Sequence, residues 1–226
     1  MIIKLNYRNM GMSKLKDKYK QFGMAGCCKR IIKSTLRILF GIEYGKYYYL
    51  VNDIDYQNQR EIFEKKRGIW EIKKLQYDDF LHGVPSVFTE KKLRKIKYRF
   101  EQSGDYEAYG IVVNDRLIYS CWLSFKDSHV TDKLNCPLPD NECFMFDAYC
   151  DPEFRGKGLH GMMNAYRLMK GYERGKTRCA VIVLHENIPA LKSQLRVGYR
   201  IAFTYYVLNV RNKSFTNFLL KKDKYL

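Results

Sequence analysis

The stretch from Phe144 to Met163 constrains the fold most, because it combines a strand, a tight turn and the start of a helix. Residues 144–150 are apolar or aromatic except for Asp147, a pattern typical of a strand buried on at least one face. Pro152 ends this strand because proline has no N–H to donate to a sheet. Arg155-Gly-Lys-Gly158 then precedes an apolar stripe at helical spacing, formed by Leu159, Met162, Met163, Tyr166, Met169 and Tyr172.

A glycine-rich turn at the start of a helix is suited to binding a phosphate or pyrophosphate. Its N–H groups lack intrahelical acceptors, and the helix dipole adds about half a positive charge there. Gly156, Gly158 and Gly161 match the dinucleotide-binding string G-x-G-x-x-G. That fingerprint follows the first strand of a βαβ unit, however, whereas this turn begins at residue 155 of 226. The P-loop pattern is absent, and a purely structural turn stays open on these residues alone.

The turn also resembles the pyrophosphate-binding turn of the GCN5-related N-acetyltransferase (GNAT) family, whose pattern is [QR]-x-x-G-x-[GA]. Arg155 and Gly158 match this pattern, while His160 occupies its last position and a glycine follows at 161. The preceding residues 147–154, Asp-Ala-Tyr-Cys-Asp-Pro-Glu-Phe, resemble the family's D-x-x-V-x-P-x-[YF] approach strand.

A second segment resembles the same family. Residues 180–184 are continuously apolar, as expected for a central strand covered on both faces. Asn187-Ile-Pro-Ala190 and Gly198-Tyr199 follow, and they resemble the family's N-x-x-A…G-[FY] segment. Two motifs in the correct order are more specific than either one. The resemblance covers residues 70–210, about three fifths of the chain.

These features predict an α/β (α+β) fold of GNAT type, with a mixed, splayed central sheet flanked by helices and an N-terminal basic helical extension. Residues 126–141 lack periodicity and contain two prolines, which indicates a functional or disordered loop. The predicted domains are the extension at 1–46, an acyltransferase domain at 47–210 and a basic tail or helix at 211–226. Strands are predicted at 47–51, 70–76, 106–113, 117–125 and 202–210, with a helix at 90–100 and a hairpin turn at 114–116.

The composition indicates a globular protein. The chain has 226 residues, 46% of them hydrophobic and 29% charged, which is enough for one sizeable domain. No run of 18 apolar residues is present, so no membrane-spanning helix is predicted, and no cleavable signal peptide is expected. The seven cysteines include no C-x-x-C pair, which argues against a disulfide framework and against a metal site. A cytoplasmic location is predicted, with peripheral contact to the inner face of the membrane as an option.

The net charge of +17 is concentrated near the N-terminus. Residues 1–46 contain eleven Lys or Arg against Asp17 and Glu43, a net charge of +9. A helix predicted from Cys27 to Phe40 has an apolar stripe flanked by basic residues, which suits either an anionic membrane surface or packing on the domain. The total charge is also compatible with an anionic substrate or a lysine-rich proteome. A nucleic-acid partner is not expected, because the 19 tyrosines are spread along the chain.

The resemblance implies an N-acetyltransferase in which an amine attacks the thioester of acetyl-CoA. Backbone N–H groups of the turn would bind the pyrophosphate, and the pantetheine arm would pair with an exposed strand edge. An N–H near Cys150 would polarise the thioester carbonyl. The residues implied for coenzyme binding are Ala148, Cys150, Arg155, Gly156, Lys157, Gly158, Leu159, His160 and Asn187.

Catalysis requires a base, since an acceptor ammonium of pKa about 10 cannot attack. Asp147 and Glu186, the latter beside His185, are the catalytic candidates, although a structural role for Asp147 is equally open. Simple alternation predicts that Asp147 lies on the strand face opposite Phe146 and Cys150, a face that could be turned toward the acceptor. Many family members have a tyrosine general acid four residues before the G-[FY] pair. Gln194 stands there and cannot act as an acid, which implies a cost of about 10²-fold rather than loss of activity.

The acceptor is less constrained than the donor. The R-G-K-G-L-H form and the basic leader resemble acetyltransferases associated with cell-surface polysaccharide assembly, which implies a small-molecule amine such as an amino sugar. Two alternatives stay open. One is acyl or aminoacyl transfer from a carrier-protein or tRNA donor. The other is a non-catalytic module of the same fold that docks on membrane or nucleic acid in a salt-dependent manner.

Overall fold

The computed structural model describes residues 24, 28, 31, 32, 35, 36, 39–102, 104–131, 134–210 and 213–219. The chain has a mixed α/β fold with a large, mostly antiparallel sheet flanked by helices, which confirms the predicted fold class. It divides into two compact units. The first unit is Met1–Leu50 with Ile182–Leu226, and the second unit is Val51–Val181. The predicted domain boundaries stay a prediction.

The strands and helices account for most of the described chain. The strands are β1 (Ile42–Asp53), β2 (Lys73–Lys74), β3 (Tyr106–Val113), β4 (Arg116–Ser124), β5 (Asp127–Thr131), β6 (Leu134–Pro137), β7 (Glu142–Cys150), β8 (Arg178–Leu184), β9 (Arg200–Val210) and β10 (Lys213–Leu219). The helices are α1 (Tyr56–Arg67), α2 (Tyr77–Leu81), α3 (Glu90–Glu101), α4 (Leu159–Glu173) and α5 (Ile188–Arg196). Among the described residues, no helix is both long and apolar enough to cross a membrane.

In the second unit the strand order is β8-β7-β4-β3-β2, and β7 is antiparallel to β4 but parallel to β8. The β3–β4 hairpin turns at Asn114 and Asp115, whose φ values of 49° and 58° suit the tight turn predicted there. The core of the second unit is aromatic. Trp122 is 1% exposed, and its ring stacks on that of Phe80 with 5.6 Å between the ring centres. Ile96 places α3 against this cluster, since it is the one fully buried residue of that helix.

In the first unit the strand order is β10-β9-β1-β8. Strand β10 pairs antiparallel with β9 along its whole length, from Lys213↔Val210 to Leu219↔Thr204. The prediction of a helix or tail at 211–226 was therefore wrong for residues 213–219. The adjacent edge of β9 supplies backbone partners that neither a tail nor a helix would use, and a strand at the edge of a sheet tolerates a polar, basic sequence.

Two other predictions about single elements require correction, and one helix was missed. Residues 70–76 form only the two-residue strand β2, whereas residues 126–141 contain the β5–β6 hairpin instead of an irregular loop. That hairpin is held at its base by Asp127, which accepts hydrogen bonds from Tyr106 Oη at 2.9 Å and Ser124 Oγ at 3.3 Å. Helix α1 was not predicted, although Asp55 caps it by accepting a hydrogen bond from Asn58 N at 3.1 Å.

Candidate functional site

The glycine turn predicted from the sequence lies between β7 and α4 in the second unit. A short 3₁₀ turn, Pro152–Phe154, follows β7 and is capped by Asp151, which accepts a hydrogen bond from Glu153 N at 3.1 Å. Gly156 and Gly158 have φ values of 80° and 76°. Only glycine adopts this left-handed region without strain, so the two glycines are required by the path of the chain. Gly158 is the N-cap of α4, and no side chain caps that helix.

The space in front of the turn is open. A Cβ atom built on either Gly156 or Gly158 would meet nothing within 4 Å. The N–H groups at the start of α4 have no intrahelical acceptors, so they are available to an anion that enters this space. These backbone features fit the diphosphate of a coenzyme.

Basic side chains surround the turn. Arg155 and Lys157 are exposed, and the Lys157 ammonium lies 4.7 Å from the centre of the Phe154 ring. Lys66, from α1, was missed by sequence reasoning. Its ammonium nitrogen lies 3.0 Å from the position that a Cβ of Gly161 would occupy, beside the first turn of α4. Lys66 and Gly161 are 95 positions apart in the chain, and nothing in the sequence signals that they are neighbours.

Arg116 was also missed, and it fixes the approach to the turn. Its guanidinium pairs with the fully buried carboxylate of Asp151 at 2.7 Å and with Glu153 at 2.8 Å. Asp151 also donates its backbone N–H to Ile118 O at 2.8 Å. The start of β4 therefore holds the segment between β7 and the glycine turn in place.

The His160 side chain supports the turn from within the second unit. Its Nδ1 atom lies 2.9 Å from Tyr119 Oη, and its Nε2 atom lies 3.4 Å from Asn164 Nδ2. Partial burial, with a smaller contribution from the positive charge of Arg167, lowers the pKa of His160 to about 4. The ring is therefore neutral at pH 7, although the residue as a whole retains contact with solvent.

Strand β7 has a free edge next to the turn. Its parallel pairing with β8 covers three residue pairs and ends at Phe144↔Ala180, although β7 continues to Cys150. This separation of the strands agrees with the splayed sheet predicted from the sequence. Ala148 is exposed, and the Cys150 carbonyl accepts a hydrogen bond from Arg155 Nε at 3.4 Å. Ala148 and Cys150 thus lie on the part of β7 beyond its last pair with β8.

A bulge sets the position of Asp147. Between Ser120↔Tyr149 and Trp122↔Phe146, β7 advances three residues while β4 advances two, and Asp147 has a φ of 48°. The bulge interrupts alternation, so the prediction that Asp147 and Phe146 lie on opposite faces was wrong. Arg99 contacts both: its Nη1 lies 2.8 Å from the Asp147 carboxylate, and its guanidinium lies 4.7 Å from the centre of the Phe146 ring.

Asp147 forms two ion pairs, with Arg99 and with Lys92, whose ammonium lies 3.0 Å from Oδ1. Burial alone would raise the pKa of Asp147, but these two cations outweigh burial and lower the pKa below its ordinary value of 3.8. A carboxylate with a lowered pKa is a weak proton acceptor. The geometry thus favours electrostatic positioning by Asp147 over proton abstraction.

Asp147 also lies at the wall of a cavity of about 400 Å³. The other residues that line this cavity are Val87, Thr89, Lys91, Lys92, Lys95 and Arg99. The lysines belong to the polar face of α3, which in the sequence resembles an ordinary solvated helix surface. Their common direction is visible only when α3 is placed beside β7.

The remaining predicted site residues belong to the first unit. His185 follows β8, and its Nδ1 atom lies 2.7 Å from Tyr48 Oη. Asn187 caps α5 by accepting a hydrogen bond from Ala190 N at 3.5 Å, and Glu186 lies between them. Gln194, at the position of the family's tyrosine, is 8% exposed. The second unit thus brings together Asp147, Ala148, Cys150 and residues 155–160, whereas Glu186 and Asn187 lie in the first unit.

No family model and no curated protein sequence matches the chain. Among solved structures, it is similar to a functionally unknown conserved protein from Staphylococcus epidermidis, with 18% identity, a TM-score of 0.54, and coverage of 81% of this chain and 68% of that chain. It is also similar to a GCN5-related glucosamine N-acetyltransferase region of a fungal multi-domain GH3 beta-N-acetylglucosaminidase. The identity is 16%, the TM-score is 0.52, and the match covers 83% of this chain and 23% of that chain. A third similar structure is a GCN5-related N-acetyltransferase-like protein from Streptococcus suis, with 12% identity, a TM-score of 0.51, and coverage of 79% of this chain and 67% of that chain.

These similarities establish the fold. Two of these three neighbours are GCN5-related by name, so the chain has the GNAT fold that its motifs predicted.

Proposed function

We propose that the protein transfers an acetyl group from acetyl-CoA to the primary amine of a small molecule. The observation that carries this proposal is the glycine turn at the start of α4. It has two left-handed glycines, no side-chain cap and open space in front of its N–H groups. Acetyl-CoA supplies a diphosphate for such a turn and a thioester that an amine can attack.

Different residues of the second unit bind different parts of the donor. The N–H groups of Gly156, Lys157, Gly158, Leu159 and His160 hold the diphosphate, and Arg155 and Lys157 screen its charge. The edge of β7 at Ala148 and Cys150 offers the backbone groups that pair with an extended arm. An N–H near Cys150 stabilises the negative charge that develops on the thioester oxygen. The resemblance also implies a contact of the arm with Asn187, and this contact stays a prediction.

The proton of the acceptor ammonium is assigned to Glu186 or to water that Glu186 orients. Asp147 is the weaker candidate for the base because its carboxylate is engaged by Lys92 and Arg99 at 3.0 and 2.8 Å. Its role is to place these cations and to offer the acceptor amine a negatively charged neighbour. Gln194 cannot protonate the departing thiolate, so solvent supplies that proton.

The decisive experiment is calorimetric titration with acetyl-CoA of the wild type and two variants. Gly158→Glu places a side chain and a negative charge where the diphosphate would lie. Gly175→Glu is the matched control, because Gly175 follows the other end of α4, also has a φ of 76°, and also has nothing within 4 Å of its Cβ position. Both variants carry the same backbone strain, about 1–2 kcal/mol.

Micromolar binding that is retained in Gly175→Glu and lost in Gly158→Glu, with both variants folded by circular dichroism, supports the donor site. Absence of binding to the wild type, or equal loss in both variants, refutes it.

The proposed acceptor class is an amino sugar of the kind used in cell-surface polysaccharides. The support is the R-G-K-G-L-H form of the turn together with the basic leader. A screen that follows release of free thiol from acetyl-CoA should find amino sugars faster than polyamines and N-terminal peptides. Activity only with carrier-protein or aminoacyl-tRNA donors would favour the alternative acyl transfer instead.

Peripheral contact with the inner face of an anionic membrane is proposed for the leader helix, the one predicted from Cys27 to Phe40 in the N-terminal extension. All its described apolar side chains are exposed, including Ile31 and Leu39 at 67% each and Phe40 at 58%. Basic residues alternate with them in the sequence, and each can contribute about 1 kcal/mol near an anionic surface.

Flotation with phosphatidylglycerol vesicles tests this contact. Ile31→Asp/Leu39→Asp should abolish binding, and Ile69→Asp, at an 88% exposed position of the second unit, should not. Equal flotation of the wild type with neutral phosphatidylcholine vesicles, or no flotation at all, would exclude it.

A further inference from the structure

We propose that Tyr119 and His160 act as a positioning pair, which holds the glycine turn at a fixed place relative to Cys150. The His160 side chain thus determines the affinity for acetyl-CoA, in addition to the N–H group that its backbone offers. This inference rests on the proposed function for the identity of the ligand. The contacts that carry it all lie in the second unit.

Tyr119 connects the two places at which the donor is held. Its main chain lies opposite Cys150 in the antiparallel pairing of β4 with β7. Its side chain reaches α4, where Oη lies 2.9 Å from Nδ1 of His160, the residue two positions after Gly158. Tyr119 is fully buried, so its ring has little freedom to move within a close-packed interior. One rigid residue thus links the diphosphate turn to the edge of β7 beside Cys150.

A second anchor reaches His160 from α4 itself. His160, Asn164 and Arg167 recur at i, i+4 and i+7, so they lie on one face of the helix. Asn164 is 3% exposed and Arg167 is 2% exposed. Arg167 donates from Nη2 to Asn164 Oδ1 and from Nη1 to Trp122 O, the latter at 3.4 Å. This polar face of α4 is therefore tied to β4 at its far end as well.

The guanidinium of Arg167 fixes the direction of the hydrogen bonds in this chain of contacts. Arginine has N–H donors and no acceptor, so Asn164 accepts with its side-chain oxygen. The amide nitrogen of Asn164 then donates to His160 Nε2 at 3.4 Å. With Nε2 as the acceptor, the neutral His160 ring carries its proton on Nδ1 and donates it to Tyr119 Oη. Only this tautomer satisfies both ring nitrogens, so the network holds the ring in a single orientation.

The residue type at position 160 matters because a small residue could not make these contacts. The family pattern to which the turn is similar has glycine or alanine at this position, and neither side chain can reach Tyr119. In this chain a glycine follows at 161, where a Cβ atom would lie 3.0 Å from the Lys66 ammonium. The turn thus has an anchored side chain where the pattern has a small one. Restoring alanine at 160 should therefore weaken donor binding instead of improving it.

Calorimetric titration with acetyl-CoA tests the pair. His160→Ala and Tyr119→Phe should each reduce the affinity about five- to tenfold, near the upper end of the net contribution of one hydrogen bond. The double variant should lose no more than either single variant, since both changes break the same hydrogen bond. His160→Asn should retain the affinity within about twofold, because its amide nitrogen can replace the Nδ1–H donor to Tyr119.

Tyr109→Phe is the matched control. Tyr109 is also buried and lies on the neighbouring strand β3, but its hydroxyl donates to Glu107 Oε2 at 2.5 Å rather than to a residue of the turn. Its loss should change the affinity for acetyl-CoA by less than about twofold. Urea denaturation of every variant separates a change in stability from a change in affinity.

The tautomer of His160 gives a second, independent readout. Nitrogen chemical shifts of its ring at pH 7 should show the proton on Nδ1. A proton on Nε2 would show that Asn164 does not donate to the ring, and it would overturn the network.

Four results of the titrations would also overturn the inference. They are wild-type affinity in both His160→Ala and Tyr119→Phe, a loss in the double variant equal to the product of the single losses, a loss in His160→Asn as large as in His160→Ala, and a loss in Tyr109→Phe as large as in Tyr119→Phe. If the wild type does not bind acetyl-CoA, the donor assignment fails and this inference fails with it. If the wild type binds and the variants bind equally well, this inference alone is wrong and the transferase stands.

Discussion

Replacement of Asp147 by asparagine should destabilise the protein by about 2 kcal/mol at pH 7. The carboxylate is 25% exposed, and its partners Arg99 and Lys92 are 15% and 26% exposed. Exposed ion pairs contribute about 0.2–1 kcal/mol, whereas breaking a buried pair costs about 3–5 kcal/mol. An ion-pair cluster that is mostly but not fully buried should lie between these limits. Asparagine keeps the size of the side chain and one acceptor oxygen, so the loss is mainly electrostatic.

The stability difference between the wild type and Asp147→Asn should decrease at low pH. The pKa of Asp147 is lowered in the folded state, because Lys92 and Arg99 outweigh the opposing effect of burial. A carboxylate of this kind stabilises the fold above its unfolded pKa of about 3.9, and that stabilisation is lost as the pH falls through the lower, folded pKa. The difference between wild type and Asp147→Asn should thus be the same at pH 7 and pH 5 and smaller at pH 3.

Urea denaturation followed by tryptophan fluorescence measures this difference. Trp122 is buried, and the centre of its ring lies 5.0 Å from the Arg99 guanidinium, so its emission should change when this region unfolds. Asp115→Asn, in the exposed β3–β4 turn, is the control and should change stability by less than about 0.5 kcal/mol. Equal stability of wild type and Asp147→Asn at pH 7 would refute the ion-pair argument. So would a difference that persists undiminished at pH 3, since it could not arise from the charge of Asp147.

Three further predictions follow from the second unit and the leader. The His160 ring should titrate well below the ordinary histidine range in an NMR titration, and a midpoint near 6.5 would contradict the partial burial that lowers its pKa. Gly110→Ala should lower the free energy of unfolding by about 2 kcal/mol or more in urea titrations, because the added methyl group would lie 2.3 Å from Tyr119 O; a loss below about 0.5 kcal/mol would show that β3 and β4 can separate there. Cys121 should resist thiol reagents in the native state, because burial raises its pKa to about 11, whereas the exposed Cys28 should react; equal rates would argue against this difference in burial.

Local elements were predictable because neighbouring residues determine them. The hairpin at Asn114 and Asp115 depends on turn residues that accept positive φ, and α3 depends on apolar residues at helical spacing. The glycine turn follows from local geometry too, since Gly156 and Gly158 adopt backbone angles that other residues rarely reach. The sequence therefore determined the strand, the turn and the helix that form the candidate diphosphate site, and through them the fold.

Tertiary structure alone decided how these elements present their side chains. The bulge at Asp147 depends on its register with β4, and the anchor of Asp151 comes from Arg116, 35 residues earlier. The lysines of α3 line a cavity only because Ile96 packs that helix on the aromatic core and its polar stripe faces β7. Strand β10 likewise exists because β9 offers a free edge. Contacts between residues far apart in the chain depend on the packing of whole elements, and a residue pattern within one segment contains no information about which partner it will meet.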